Sequence, residues 1–199
     1  LRKSIFNTTD RNRYIIVNVK FKLSIKPKPI LTRNELSQLK STSISDEALL
    51  LEISNTVANY RTNGKNLPNK EHQGCVGTFF KTAIISSRRE FFKIAFKTWR
   101  KLGIKAVVTL VLFCLKYRSS EGMRIPSKRL IQFCRISSTR FGTVSLMESN
   151  PAVVVSDLTS SPNSADLQDL IRYVKGEVYK NTGVDLPIEP ELVAFKEGF

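Results

Sequence analysis

An α+β chain is predicted by three observations. Apolar residues recur at helical spacing at Ala48, Leu49, Ile53, Val57 and Tyr60, and again at Leu167, Leu170, Ile171, Val174 and Val178. Apolar β-type runs occupy residues 14–25 and 152–155. Between the two helical patterns lies the octet Gly74-Cys75-Val76-Gly77-Thr78-Phe79-Phe80-Lys81. Glycine tolerates positive φ and close backbone approach. The octet therefore reads as backbone brought against a ligand or another strand, or as a glycine turn leading into a strand with Phe79 or Phe80 in the core.

Taken in order, residues 14–25 begin as an apolar run and then alternate. Val17, Val19, Phe21 and Leu23 fall on one face, and Asn18, Lys20 and Lys22 on the other, which predicts a strand with one wet face. Pro27 and Pro29 end it, because proline cannot continue a ladder. Thr32 or Asn34 caps a short turn through Leu39. Ser45-Asp46-Glu47 opens an amphipathic helix with an acidic first turn, ending near Asn63-Gly64. Beyond Ser86 or Ser87, Phe92, Phe96 and Trp99 recur at helical spacing, with Arg89, Lys93, Lys97 and Lys101 every fourth residue. This predicts a helix with an apolar aromatic side packed on the core and a cationic side in solvent. A surface touching phosphate or membrane is the sharper alternative. Residues 104–115 are apolar and rich in β-branched side chains, and read as a buried strand or buried helix. They fall short of the roughly 20 residues that span a bilayer. Residues 118–122 read as a loop, 152–155 as a strand, and Asn163 or Ser164 as the cap of a helix that Gly183 ends. Residues 186–195 read as the last strand.

Of 199 residues, 41% are hydrophobic, enough for a core. The net charge of +15 is uneven: residues 84–140 hold 14 of the 32 basic residues but 2 of the 17 acidic ones. That middle segment suits an anionic partner, whether a nucleotide-sugar diphosphate, a nucleic acid or an acidic membrane. The helical phase of its aromatics suits packing better than stacking on bases, which argues against nucleic acid. Cys75, Cys114 and Cys134 are an odd set without CxxC spacing, as expected of reduced thiols in a cytoplasmic setting. His72 is the one histidine, so a surface-loop role is expected of it and no metal site is. The chain has no initiating methionine and no signal-peptide pattern, and reads as a piece of a longer protein.

The octet with Leu67-Pro68-Asn69-Lys70-Glu71-His72-Gln73 before it resembles, without gaps, the "LPDPxxxGNAGSFFKNP" motif of the UDP-N-acetylenolpyruvoylglucosamine reductases, the MurB family. Leu1-Arg2-Lys3-Ser4-Ile5-Phe6 is similar to that family's "YRDSxF". Residues 182–192 are similar to its terminal "FGVxLEPEV", residues 125–134 to its "IPAGWLIExCG", and Arg140-Phe141-Gly142 to its "RxGG" turn. The resemblance implies a small β-sheet packed by helices, preceded by an orphan strand of the flavin-binding domain. Residues 1–25 become a remnant of that domain and 26–65 a linker with its amphipathic helix. Residues 66–199 become the substrate-binding domain, with a divergent basic segment at 84–123.

The reaction implied is flavin-mediated. NADPH reduces FAD, which passes hydride to the enolpyruvyl double bond of a UDP-linked amino sugar in peptidoglycan precursor synthesis. Such chemistry needs an acid to protonate carbon and a group to polarise the substrate carboxylate. The resemblance carries the proton-donating serine of "GSFFK" onto Thr78 and the second glutamate of "LEPEV" onto Glu191. Lys65, Asn66, Lys81 and Thr82 fall around the substrate diphosphate. Asn66 replaces the family lysine, Thr82 the asparagine after "FFK", Ala83 the next proline and Leu1 the tyrosine. The flavin-binding portion, with its arginine and glycine-rich diphosphate loop, has no counterpart. The chain alone is therefore expected to bind no FAD and to turn over nothing. The competing class is a non-enzymatic basic binding module for nucleic acid or an anionic surface, or a decayed copy of the enzyme.

Overall fold

A computed structural model describes residues 4–10, 13–26, 28–41, 43–62, 68 and 72–190. It divides into two compact units, Leu1–Ala58 and Asn59–Phe199.

In the first unit, 3-10 turns form at Ile5–Asn7 and Asn34–Ser41, the second burying Leu36 and Leu39 near the turn expected there. The strand expected at 14–25 does not form. The described stretch 13–26 pairs with no strand among the described residues, and Ile15 and Ile25 are 90% and 98% exposed. Alternation favours an extended backbone, but a strand needs a partner for its N–H and C=O groups, and this one has none among the described residues. Helix α1, Asp46–Thr62, starts as its sequence requires: the Ser45 hydroxyl accepts from the Ala48 amide at 3.3 Å. Its expected apolar stripe is half-buried at Leu49, Ile53 and Val57, and Tyr60 is exposed. The expected end at Asn63-Gly64 lies outside the described residues.

The second unit runs β1 Gln73–Thr78, β2 Ala83–Ile85, α2 Arg88–Leu102, α3 Ile104–Lys116, β3 Arg118–Ser119, β4 Gly122–Ile125 and α4 Ser127–Phe133. It continues with β5 Arg140–Phe141, β6 Val144–Leu146, β7 Val153–Asp157 and α5 Ser164–Thr182. Among the described residues, two antiparallel sheets result, ordered β1-β7-β6-β5 and β2-β4-β3, with helices packed on them, as the α+β reading requires. The core lies between sheets and helices. It takes both Phe79 and Phe80 from the octet, Ile85 and Ile125 from the small sheet, and Leu170, Val174 and Val178 from α5.

Several elements differ from expectation for identifiable reasons. Residues 104–115 form a helix, α3, despite their β-branched bias. Gly103, at φ 83°, breaks α2 from α3 and lets the two helices pack against each other, and that packing outweighs propensity. Nor is α3 buried throughout: Leu110 and Cys114 point inward while Val108, Leu112 and Leu115 face solvent. The loop expected at 118–122 is a β3–β4 hairpin; Gly122 adopts φ 136° with the Ile85 carbonyl packed where a Cβ would sit.

Helix α2 is capped at Ser87, whose hydroxyl accepts from the Glu90 amide at 3.1 Å. Its aromatic side faces the opposite way from the expected one. Ile94 and Thr98 are buried with Phe91 and Ala95 against the core, while Phe92, Phe96 and Trp99 are exposed. The cationic side faces solvent at Arg89, Lys93 and Lys101, but Lys97 is half-buried with its ammonium 4.4 Å from the Tyr179 ring centroid. Helix α5 follows its signals: Asn163 Oδ1 accepts from the Ala165 amide and Gly183 closes it at φ 80°. The last strand is reduced, among the described residues, to one antiparallel bridge between Ile188 and Phe80.

Candidate functional site

The octet is a strand edge with one irregularity. Gln73, Gly74 and Cys75 pair with Asp157, Ser156 and Val155, and Thr78 pairs with Val153. Counted along each strand, the interval from Cys75 to Thr78 on β1 is one residue longer than its partner on β7, which is a β-bulge, and Gly77 absorbs it at φ 81°. The glycines thus serve a backbone laid against another strand. The bulge leaves Thr78 exposed at the end of β1, with no hydrogen-bond partner for its hydroxyl among the described residues.

Behind Thr78 the chain is held from both sides. The Phe79 and Phe80 amides both donate to the Ala152 carbonyl, at 2.7 and 3.0 Å. On the other side the Lys81 amide donates to Pro187 O at 2.8 Å and the Glu189 amide to Phe79 O at 2.7 Å. The Ser127 hydroxyl, from the first turn of α4, donates to Phe80 O at 2.6 Å within the core. Thr78 therefore stands where a fixed backbone meets solvent, and residues 187–189 run antiparallel beside residues 79–81. Lys81 is exposed and Thr82 half-buried on this same stretch. Lys65, Asn66 and Glu191 lie outside the described residues. Glu191 follows Pro190, the last residue described.

A second feature on the four-stranded sheet went unforeseen. His72, Gln73, Arg140, Thr143, Ser145, Val155, Asp157 and Thr159 line an open cavity of about 360 Å³. Arg140 Nη2 stands 3.8 Å from Asp157 Oδ2. Asp157 Oδ1 accepts from the Thr159 hydroxyl at 2.6 Å and its amide at 2.9 Å. The Thr159 hydroxyl and amide bonds, then the charges of Arg140 and His72, hold the Asp157 carboxyl below its usual range. Strand alternation places Asp157 and Val155 on one face, but which strands flank them depends on the β1-β7-β6 order, which no local motif states. The cavity lies at the Asp157 end of β7 and Thr78 at its Val153 end, roughly 13 Å apart at the rise of a strand.

The two glycines of the octet are taken up by strand pairing. Gly74 is engaged in the β1–β7 ladder and Gly77 in its bulge, so neither offers a free glycine-rich loop. No group of three His, Cys, Asp or Glu side chains among the described residues could hold a metal ion, and none of their helices is long and apolar enough to cross a membrane.

Comparison with known proteins agrees with the topology. Residues 68–193 match the profile of the UDP-N-acetylenolpyruvoylglucosamine reductase C-terminal domain. The chain is 26% identical over 191 residues to the UDP-N-acetylenolpyruvoylglucosamine reductase of Neisseria gonorrhoeae, covering 95% of this chain and 50% of that protein. It is 24% identical over 192 residues to the Escherichia coli K12 enzyme of that name and 25% identical over 192 to that of Wigglesworthia glossinidia brevipalpis, covering 96% of this chain in each case. These alignments reach 49% of the first of these two proteins and 50% of the second, so the chain spans about half the length of the curated relatives it matches. The family match, covering the β1 bulge, both sheets and the 187–190 segment, shows that this chain belongs to the UDP-N-acetylenolpyruvoylglucosamine reductase family and carries its C-terminal domain.

Proposed function

We propose that residues 66–199 form the substrate-binding portion of a UDP-N-acetylenolpyruvoylglucosamine reductase, which works with a flavin-binding portion outside this chain. In this reading Thr78 Oγ1 holds the proton that ends on the enolpyruvyl carbon, and Glu191 polarises the substrate carboxylate. Lys81 and Thr82, with Lys65 and Asn66, bind the UDP diphosphate. The supporting observation is the exposed Thr78 hydroxyl, unengaged by the described residues, at the end of a bulged strand whose following residues are pinned by Ala152, Pro187 and Ser127. A general acid needs such a fixed position, because proton transfer requires hydrogen-bond reach to the reacting atom. The segment that leads in sequence to Glu191 runs beside the octet. Phe80 lies opposite Ile188 and Phe79 is bonded to Glu189, so one further step sets Pro190 beside Thr78, with Glu191 next in sequence.

FAD and NADPH belong, in this reading, to the enzyme completed by its flavin-binding portion; the hydride step is not assigned to residues of this chain. The test is a pair of measurements on wild type and Thr78→Val, which keeps the side-chain shape and removes the proton. Calorimetric binding of the UDP-enolpyruvyl sugar to the chain should be nearly unchanged. NADPH oxidation by the chain joined to a flavin-binding half should fall by roughly 100- to 10,000-fold. Full turnover by the valine variant would remove Thr78 from the reaction, and failure of wild type to bind the sugar would remove the substrate-binding role.

A further inference from the structure

The α2–α3 hairpin presents an outward surface that the reductase reading does not use. At 100° per residue, Phe92, Phe96 and Trp99 fall within about 60° of one another on α2. Val108, Leu112 and Leu115 form a corresponding row on α3. All six side chains are more than half exposed, on the sides of their helices opposite the buried Ile94, Thr98, Leu110 and Cys114. Burying such a row releases free energy in proportion to its area, and nothing among the described residues covers it.

The edge of this surface is cationic. Helices α2 and α3 carry eight basic residues and a single acidic one, Glu90, which is engaged with Ser86. Arg89, Lys93 and Arg100 flank the aromatic row and have no acidic partner among the described residues. The Arg100 guanidinium lies 5.9 Å from the Phe96 ring centroid. Near the turn of the hairpin, Lys101, Lys105 and Arg135 line an open cavity of about 480 Å³, adding positive potential at that end. Phenylalanine and tryptophan beside arginine and lysine match a bilayer interface, where rings enter the headgroup–acyl boundary and cations meet lipid phosphates.

We propose that the α2–α3 hairpin docks this protein onto an anionic phospholipid surface. The aromatic and aliphatic rows enter the interface, and Arg89, Lys93 and Arg100 contact headgroup phosphates. The hairpin lies on the membrane: neither helix is long and apolar enough to cross it. Charge complementarity selects this occupant. A second copy would set the cationic rims of two hairpins against each other, which costs free energy. A single-stranded nucleic acid would need ring faces open for successive bases. Phe96 and Trp99 instead meet at 6.0 Å and 60°, each ring leaning on the other. The proposal stands independently of the reductase reading.

Trp99 is the one tryptophan of the chain, so its fluorescence reports this surface directly. The experiment adds vesicles of phosphatidylglycerol and phosphatidylcholine to the full chain, with pure phosphatidylcholine vesicles as the comparison. Binding is followed by co-sedimentation and by Trp99 emission. Anionic vesicles should sediment the protein and shift Trp99 emission to the blue; zwitterionic vesicles should do neither, and added salt should reverse the binding. Each cation near an anionic surface is worth about a factor of five, so Arg89→Gln, Lys93→Gln and Arg100→Gln together should weaken binding roughly a hundredfold. Replacing Phe92 and Leu112 by serine should weaken it without changing the far-ultraviolet circular dichroism. Absence of a blue shift with anionic vesicles overturns the proposal, and this needs wild type alone. So does undiminished binding by the triple variant, a Trp99 shift produced by self-association without lipid, or binding to single-stranded RNA that anionic vesicles cannot displace.

Discussion

Replacing Ser127 by alanine should destabilise the protein by about 1–3 kcal/mol, although it removes a single oxygen far from any solvent. The Ser127 hydroxyl donates to Phe80 O at 2.6 Å, joining α4 to a backbone 47 residues away. Phe80 is fully buried and Ser127 is 4% exposed. The neighbouring strand bonds leave this carbonyl out: Lys81 donates to Pro187 O and Phe79 O accepts from Glu189, so Ser127 is the donor to Phe80 O among the described residues. Alanine therefore strands a buried acceptor where water cannot reach it. The cost is the desolvation of that group and not the smaller net value of an exposed hydrogen bond. At about 2 kcal/mol, the midpoint of thermal unfolding should fall by roughly 4–8 °C for a chain of this size. The assay is thermal and urea unfolding by circular dichroism, with the exposed Ser160→Ala as a control that should stay within about 0.5 kcal/mol. A Ser127→Ala variant as stable as that control would refute the view that this bond secures the segment behind Thr78.

The remaining predictions use the same unfolding measurements and a chemical probe. Gly77→Ala should cost about 1–2 kcal/mol from backbone strain alone, since Gly77 sits at φ 81° with open space where a Cβ would stand, so no steric clash contributes. Thr98→Val should stabilise by about 1 kcal/mol, because the Thr98 hydroxyl is buried on the core face of α2 with no hydrogen-bond partner among the described residues. Burial pushes the Cys114 thiol up to about 11, and burial with the nearby Glu177 carboxylate does the same for Cys134, from an ordinary 9.0. Between those values the native protein keeps protons that the unfolded chain releases, so stability should fall as pH rises from about 9 to about 11. The Cys114→Ala, Cys134→Ala double variant should lose stability less steeply over that range. Iodoacetamide at neutral pH should modify the exposed Cys75 well before the other two.

How far the chain could be read in advance depended on whether a signal was local. The helix caps at Ser87 and Asn163 and the stop at Gly183 are satisfied by atoms within four residues, so they stand in the sequence as they stand in the fold. The octet was legible in part for a similar reason: Gly77 adopts a backbone that favours glycine whatever packs on it, and one of the two adjacent phenylalanines was expected in the core, where the fold places both. Thr78 could be singled out because its neighbours resemble a motif. That its hydroxyl would stand clear of the described residues, and its backbone be held from two sides, came from Ala152 and Pro187, residues more than 70 positions away.

The departures from expectation share a cause. Helix α2 carries two apolar arcs, one with Phe92, Phe96 and Trp99 and one with Phe91, Ile94 and Thr98, and periodicity alone ranks the bulkier arc first. Contacts with α3 and α5 bury the other. Residues 14–25 have strand alternation without a partner strand among the described residues, and residues 104–116 have β-branched content with a helical neighbour. Caps, glycine conformations and hydrophobic spacing are governed by bonds between near neighbours, and residue order settles them. Which face turns inward, which run finds a ladder and which strands flank the Arg140–Asp157 cavity are competitions between distant parts of the chain, decided when burying one surface excludes burying another.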